Sequence, residues 1–240
     1  AGRLFVTDHG NKRVLRYDDA ATKPSFAEAD GVLGQADFAS MSTGTTANLF
    51  GDGSLYGIAL DAHGNLYVSD GANKRVLRFN NAATKANGAS ADGVLGAADL
   101  TTAGAGGVTA STFGGRIYGL TVDAAGNLYV SDAANRRILR FDNAAAKANG
   151  APADGVLGVL DFTTVQFSRG VSASTVSNTV FGIDVLADGA LYVADYTFNR
   201  VLVYNDPASK PNGEAADYVL GQTDFTSSAQ ATTASGLQAP

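Results

Sequence analysis

The chain has 240 residues, no cysteine, 29 glycines and a formal net charge of −6. Without cysteine it can build neither a disulfide framework nor a thiolate metal site, and no apolar run approaches the ~18 residues of a membrane-spanning helix. Its 17 Lys and Arg are spread along an acidic chain rather than gathered into a patch, which excludes an ordinary nucleic-acid binder.

The first predicted element is a strand–turn–strand unit at 4–17, LFVTDHGNKRVLRY. The same phrase returns as LYVSDGANKRVLRF at 66–79, LYVSDAANRRILRF at 128–141 and LYVADYTFNRVLVY at 191–204. Its aspartates Asp8, Asp70, Asp132 and Asp195 are spaced by 62, 62 and 63 residues, so the chain is an internal repeat. Within each copy, large apolar residues alternate with others at a period of two, and the Gly/Asn-rich centre supplies a turn.

After each hairpin comes a loop and then a short strand: GVLG at 31–34, 93–96 and 155–158, and YVLG at 218–221. Three copies of another short strand open on an aromatic–glycine pair: YGIALD at 56–61, YGLTVD at 118–123 and FGIDVL at 181–186. The first repeat has no such copy. Aligned on the second repeat, the chain starts and stops inside a repeat, nine residues short of four whole units. It reads as a window on a longer or processed chain, in one repeat domain over 1–240 with units near 1–53, 54–115, 116–178 and 179–240.

Four short antiparallel strands per repeat, apolar on both faces, make one blade of a β-propeller. The expected fold is therefore all-β: four blades of ~62 residues, the first lacking its inner strand. A solenoid fits less well, because this period is long for a β-helix coil. The string GIALDAHGNLYVSD followed by N-x-R-V-L-R-F resembles the NHL repeat, and the tails GVLGQADF (31–38) and VLGQTDF (219–225) are similar to a bacterial multi-repeat variety of it. The resemblance covers nearly the whole chain. It implies a propeller. For function it implies a range: protein-binding sensors, RNA binders, lyases and lactone or ester hydrolases. It also implies an extracellular or cell-surface location.

The repeated polar residues Asp8, Arg13, Asp70, Asn73, Arg75, Asp132, Asn135, Arg137, Asp195 and Arg200 read as structural, since a group repeated in every blade serves the blade. The turns DAHGN (61–65) and DAAGN (123–127) lack the alternating acidic ligands and distal Glu of a calcium loop. His9 and His63 fall at opposite ends of their blades. No nucleophile–base set and no metal or cofactor site is expected, so no catalytic residue is assigned.

Function is then expected in residues that break the repeat. One place is the long Thr/Ser/Gly-rich connectors at 39–55, 101–117 and 163–180, which carry Arg116, Phe167 and Arg169. The other is the fourth hairpin turn, where Tyr196 takes a slot held elsewhere by His, Gly or Ala and Phe198 takes the Asn slot. Turn and connectors fall on one face of the array. The favoured reading is a non-catalytic scaffold binding a protein or other macromolecule on that face. A self-assembling unit completed by another copy and a propeller-type lyase or hydrolase with an axial site stand as alternatives.

Overall fold

Each repeated phrase folds as a hairpin between its Asp and its Arg because the turn residue before the Arg adopts a left-handed conformation: Lys12, Lys74, Arg136 and Asn199 have φ of 51°, 52°, 55° and 51°. That reversal sets Asp70 directly opposite Arg75, with Val68 opposite Leu77 and Leu66 opposite Phe79. The same register holds in the other three hairpins. The computed structural model describes residues 2–164 and 170–240.

The strands follow the repeat. β1 (Leu4–Asp8), β2 (Arg13–Tyr17) and β3 (Gly31–Leu33) form a three-stranded sheet. β4 (Ile58–Leu60), β5 (Leu66–Asp70), β6 (Arg75–Phe79) and β7 (Gly93–Leu95) form the second blade. β8 (Ile117–Val122), β9 (Leu128–Asp132), β10 (Arg137–Phe141) and β11 (Gly155–Leu157) form the third. β12 (Val180–Val185), β13 (Leu191–Asp195), β14 (Arg200–Tyr204) and β15 (Tyr218–Leu220) form the fourth. All pairings are antiparallel, and each sheet runs in chain order from inner to outer strand. This is an all-β array of propeller blades, and the first lacks an inner strand.

The two-faced apolar pattern has its cause in the stacking. Leu66, Val68, Leu77 and Phe79 pack back onto the first blade with Phe5, Val14 and Leu33. Tyr67, Val76 and Leu95 pack forward onto the third blade with Leu128, Val130 and Leu139. Tyr129, Ile138 and Leu157 repeat this towards the fourth. The three cores thus fill the three successive interfaces. Among the described residues none joins the fourth blade to the first, so the array is an open arc.

Polar contacts lock the interfaces in the same register. Asn87 Oδ1 accepts the Val32 N–H at 3.0 Å while the Gly88 N–H donates to the Val32 carbonyl at 3.1 Å. Asn149–Gly150 and Asn212–Gly213 hook onto Val94 and Val156 in the same way. In the other direction, the Arg78 guanidinium lies over Gly93 of its own blade and donates to the Ala144 and Lys147 carbonyls of the next. Among the described residues no helix is long and apolar enough to cross a membrane.

Candidate functional site

The aromatic–glycine pairs sit where neighbouring blades come closest. A Cβ on Gly57 would stand 2.3 Å from the Tyr118 carbonyl oxygen, and one on Gly119 would stand 3.0 Å from Ile183. Glycine is therefore what allows the inner strands to converge. In β8 and β12 the pairs also fall in register shifts, between Ile117 and Leu120 and between Val180 and Ile183. Such bulges re-aim side chains at a sheet edge. Here they bring the Tyr118 and Phe181 rings together on one rim of the array.

The rings meet in a continuous ribbon. His9 stacks on Tyr56 with centroids 4.7 Å apart. Tyr56 meets Tyr118 at 5.4 Å, Tyr118 meets Phe181 at 4.8 Å, and Phe181 meets Tyr196 edge-on at 5.2 Å. These spacings lie within the favourable range for aromatic pairs. The ribbon crosses all four blades and remains open to solvent: Tyr56, Phe181 and Tyr196 are 48%, 45% and 42% exposed. Tyr56, Tyr118 and Phe181 line a shallow cavity of about 310 Å³. Hydrogen bonds fix the ends. His9 Nδ1 accepts the Leu55 N–H at 3.3 Å, and the Tyr196 N–H donates to the Thr179 carbonyl at 3.2 Å. Thr179 and Thr197 also join through their hydroxyls.

Of the candidate binding residues, Tyr196 closes the ribbon. Phe198 turns away from it and packs half-buried over the Arg200 guanidinium, 5.2 Å from Arg200 Cζ to the ring centroid. Arg116 is exposed two residues before Tyr118. Phe167 and Arg169 lie outside the described residues. His9, Tyr56, Tyr118 and Phe181 were not among the residues expected to bind. For the last three the signal was present as the recurrent aromatic–glycine pair, which reads on its own as a strand opening; His9 sits in a turn slot and carried none.

The repeated polar set is engaged within the fold. Asp70 Oδ2 accepts from Arg75 Nε and Asn73 Nδ2, each at 2.8 Å, and Oδ1 accepts the Gly51 N–H at 2.9 Å. The terminal nitrogens of Arg75 donate to the carbonyls of Thr45, Thr46, Leu49 and Leu100. Asp132, Asn135 and Arg137 repeat the arrangement, with Arg137 on the Thr109, Thr112 and Phe162 carbonyls. In the fourth blade Arg200 grips Asp195, Thr175 and Phe225. Asn199, one place later than the repeat's Asn, donates to the Ser228 carbonyl. In the first blade Asp8 pairs with Arg13 at 2.7 Å and with Asn11. Each connector is thus clamped by the blade it leads into.

Electrostatics follow burial. Desolvation pushes the Asp132 and Asp195 carboxyls up, against Arg137 and Ser177–Arg200 respectively. At Asp8, burial is outweighed by Asn11 and Arg13, and the carboxyl is lowered. Asp61 spends its oxygens on the His63 and Asn65 N–H groups and on Asn65 Nδ2, and Asp123 does likewise with Ala125 and Asn127. Both are turn locks. Among the described residues no three His, Asp or Glu side chains converge as metal ligands.

No family model and no curated protein matches the chain. Solved structures do resemble it. Virginiamycin B lyase from Staphylococcus aureus superposes with a TM-score of 0.49 at 12% identity, over 85% of this chain and 49% of that one. A streptogramin B lyase gives 0.48 at 10%, over 85% and 48%. A nidogen/laminin complex gives 0.48 at 16%, over 90% and 58%. The chain spans about half the length of the structures it matches.

Proposed function

We propose that this chain is a non-catalytic binding module that captures an extended segment of a protein partner along its aromatic ribbon. The observation that carries the reading is the unbroken run His9–Tyr56–Tyr118–Phe181–Tyr196, one ring or more from every blade, left exposed on a rigid scaffold. A contiguous exposed run of aromatic rings is the kind of surface that marks an interaction site. Aromatic-lined grooves suit extended, proline-containing peptides, whose backbone is already ordered before binding. The exposed Arg116 beside Tyr118 adds a donor for a backbone carbonyl or a carboxylate.

The test is an array of extended peptides, proline-rich and proline-free, probed with the wild-type chain and with Tyr118→Ala and Phe181→Ala. The expected result is a subset of peptides held by the wild type and weakened about tenfold or more by either substitution. Equal capture by the variants, or no capture by the wild type, overturns the reading.

A further inference from the structure

In the first two hairpins the left-handed turn residue is a lysine whose side chain runs out over the connector leading into the next blade. Lys12 Nζ meets Asp52 Oδ1 at 3.3 Å. On the third blade's connector, a Cβ at Gly115 would lie 3.4 Å from Lys74 Cγ, and one at Gly106 would lie 2.9 Å from Lys74 Nζ. Glycines at both places let the connector close around the half-buried Lys74 stem.

The two connectors differ in what they offer the lysine. Both are pinned at the same two points. The Gly51 and Gly114 N–H groups donate to the Oδ1 atoms of Asp70 and Asp132, each at 2.9 Å. The Ser54 and Arg116 carbonyls then accept from the Gly71 and Ala133 N–H groups. Asp52 and Gly53 fill the span between these points in the first case, and Gly115 alone fills it in the second. The shorter span has no aspartate for Lys74, and it ends on an arginine where the longer one ends on a serine.

Among the described residues neither the Lys74 ammonium nor the Arg116 guanidinium has a hydrogen-bond or ion-pair partner. The nearby carboxylates of Asp70 and Asp132 are already committed to Arg75 and Arg137. Two cations without counterions thus lie along the Gly115–Arg116 stretch that leads into Tyr118, on a chain whose net charge is −6. Tyr118 is the middle ring of the ribbon, touching both Tyr56 and Phe181. An ammonium held partly out of water with no partner is unfavourable, and an incoming anion relieves it. A guanidinium beside it favours a carboxylate, which it can bind through two parallel hydrogen bonds.

We propose that the segment captured along the ribbon is acidic, and that one of its Asp or Glu side chains seats against Lys74 and Arg116 while a neighbouring residue packs on Tyr118. This rests on the ribbon being a peptide-binding surface and adds the charge of the partner. Complementary charge of this kind sets which partner is chosen and speeds encounter at low salt.

Fluorescence anisotropy with three synthetic peptides tests this: Pro-Tyr-Glu repeats, Pro-Tyr-Gln repeats and Pro-Tyr-Lys repeats, with an oligothymidine as a fourth probe. The wild type is expected to hold the glutamate repeat about tenfold or more tighter than the glutamine repeat, by a margin that shrinks as salt is raised. Lys74→Gln and Arg116→Gln are each expected to remove most of that margin. Lys147→Gln, an equal loss of charge in an outer loop where Lys147 pairs with Asp154, is expected to keep it. Circular dichroism checks each fold, and Arg116→Gln, at an exposed position, carries the test should Lys74→Gln unfold. Equal binding of the glutamate and glutamine repeats, both weakened by Tyr118→Ala, overturns the acidic partner and leaves the ribbon reading standing. A margin that survives both substitutions, a preference for the lysine repeat, or tighter binding of the oligothymidine than of the glutamate repeat also overturns it. Binding of none of the peptides overturns both.

Discussion

Asp70 and Arg75 face each other across the β5–β6 hairpin, 2.8 Å apart, with side chains 1% and 0% exposed. Asp8 and Arg13 make the same pair at 2.7 Å in the first blade, but remain 24% and 17% exposed. One motif therefore sits in two dielectric settings.

Breaking the buried pair leaves an uncompensated charge. Asp70→Ala and Asp132→Ala are expected to cost about 3–5 kcal/mol each. Asp8→Ala, where water can answer the Arg13 guanidinium, is expected to cost about 1 kcal/mol or less. Urea unfolding of the three variants checks the ordering, and equal losses would refute the account of the motif given above.

The aromatic–glycine pairs give a steric prediction. Gly57→Ala drives a Cβ into the Tyr118 carbonyl, and about 1–3 kcal/mol of overpacking strain is expected. Gly182→Ala meets nothing closer than 3.8 Å and is expected to be tolerated. Thermal melts of the two variants decide, and near-ultraviolet dichroism should change only for Gly57→Ala, whose strain reaches the ribbon.

Hooks between blades are separable from cores. Asn87→Ala and Asn149→Ala each remove the acceptor for a part-buried N–H, of Val32 and Val94. A loss of about 1–3 kcal/mol is expected for each, read as a lower denaturation midpoint. Hydrogen exchange at the Val32 and Val94 amides should rise in the matching variant alone.

Acid sensitivity has a defined origin. Asp37 is held below the ordinary 3.8 by the Ser40 hydroxyl and the Ala39 and Ser40 amides. Asp99 and Asp161 are lowered first by the Thr101 and Thr163 amides, Asp224 by the Thr226 hydroxyl, and Asp30 by Lys23. A carboxyl whose folded value lies below its unfolded one stabilises the fold above 3.8, and that contribution is lost as pH falls through the folded value. Asp132 and Asp195, raised by burial, oppose the trend. Stability is therefore expected to fall below about pH 4, and Asp99→Asn with Asp161→Asn should flatten the fall. An undiminished slope in the double variant would assign acid sensitivity elsewhere.

The hairpins were legible in the sequence because local chemistry sets them. A turn with one left-handed residue, flanked by alternating apolar residues, leaves Asp70 only Arg75 to face. The loss of the inner strand from the first blade was legible as a missing aromatic–glycine phrase. The ribbon was not. His9 and Tyr196 occupy turn slots, whereas Tyr56, Tyr118 and Phe181 open strands. They touch only because blade curvature and the small Gly57 and Gly119 bring inner strands together. Repeat spacing assigns a residue its slot within a blade and is silent on how closely the next blade approaches. Tyr196 and Phe198 look alike in sequence, yet one meets Phe181 and the other covers Arg200.

The grip of Arg75 on Thr45, Thr46, Leu49 and Leu100 falls entirely on main-chain oxygens. A clamp of that kind dictates the path of the loop and is indifferent to most of its letters. The connectors can therefore diversify in composition while the frame that presents them stays constant. That separation is what a display scaffold needs, and it makes the stretches between clamped carbonyls natural positions for randomised libraries.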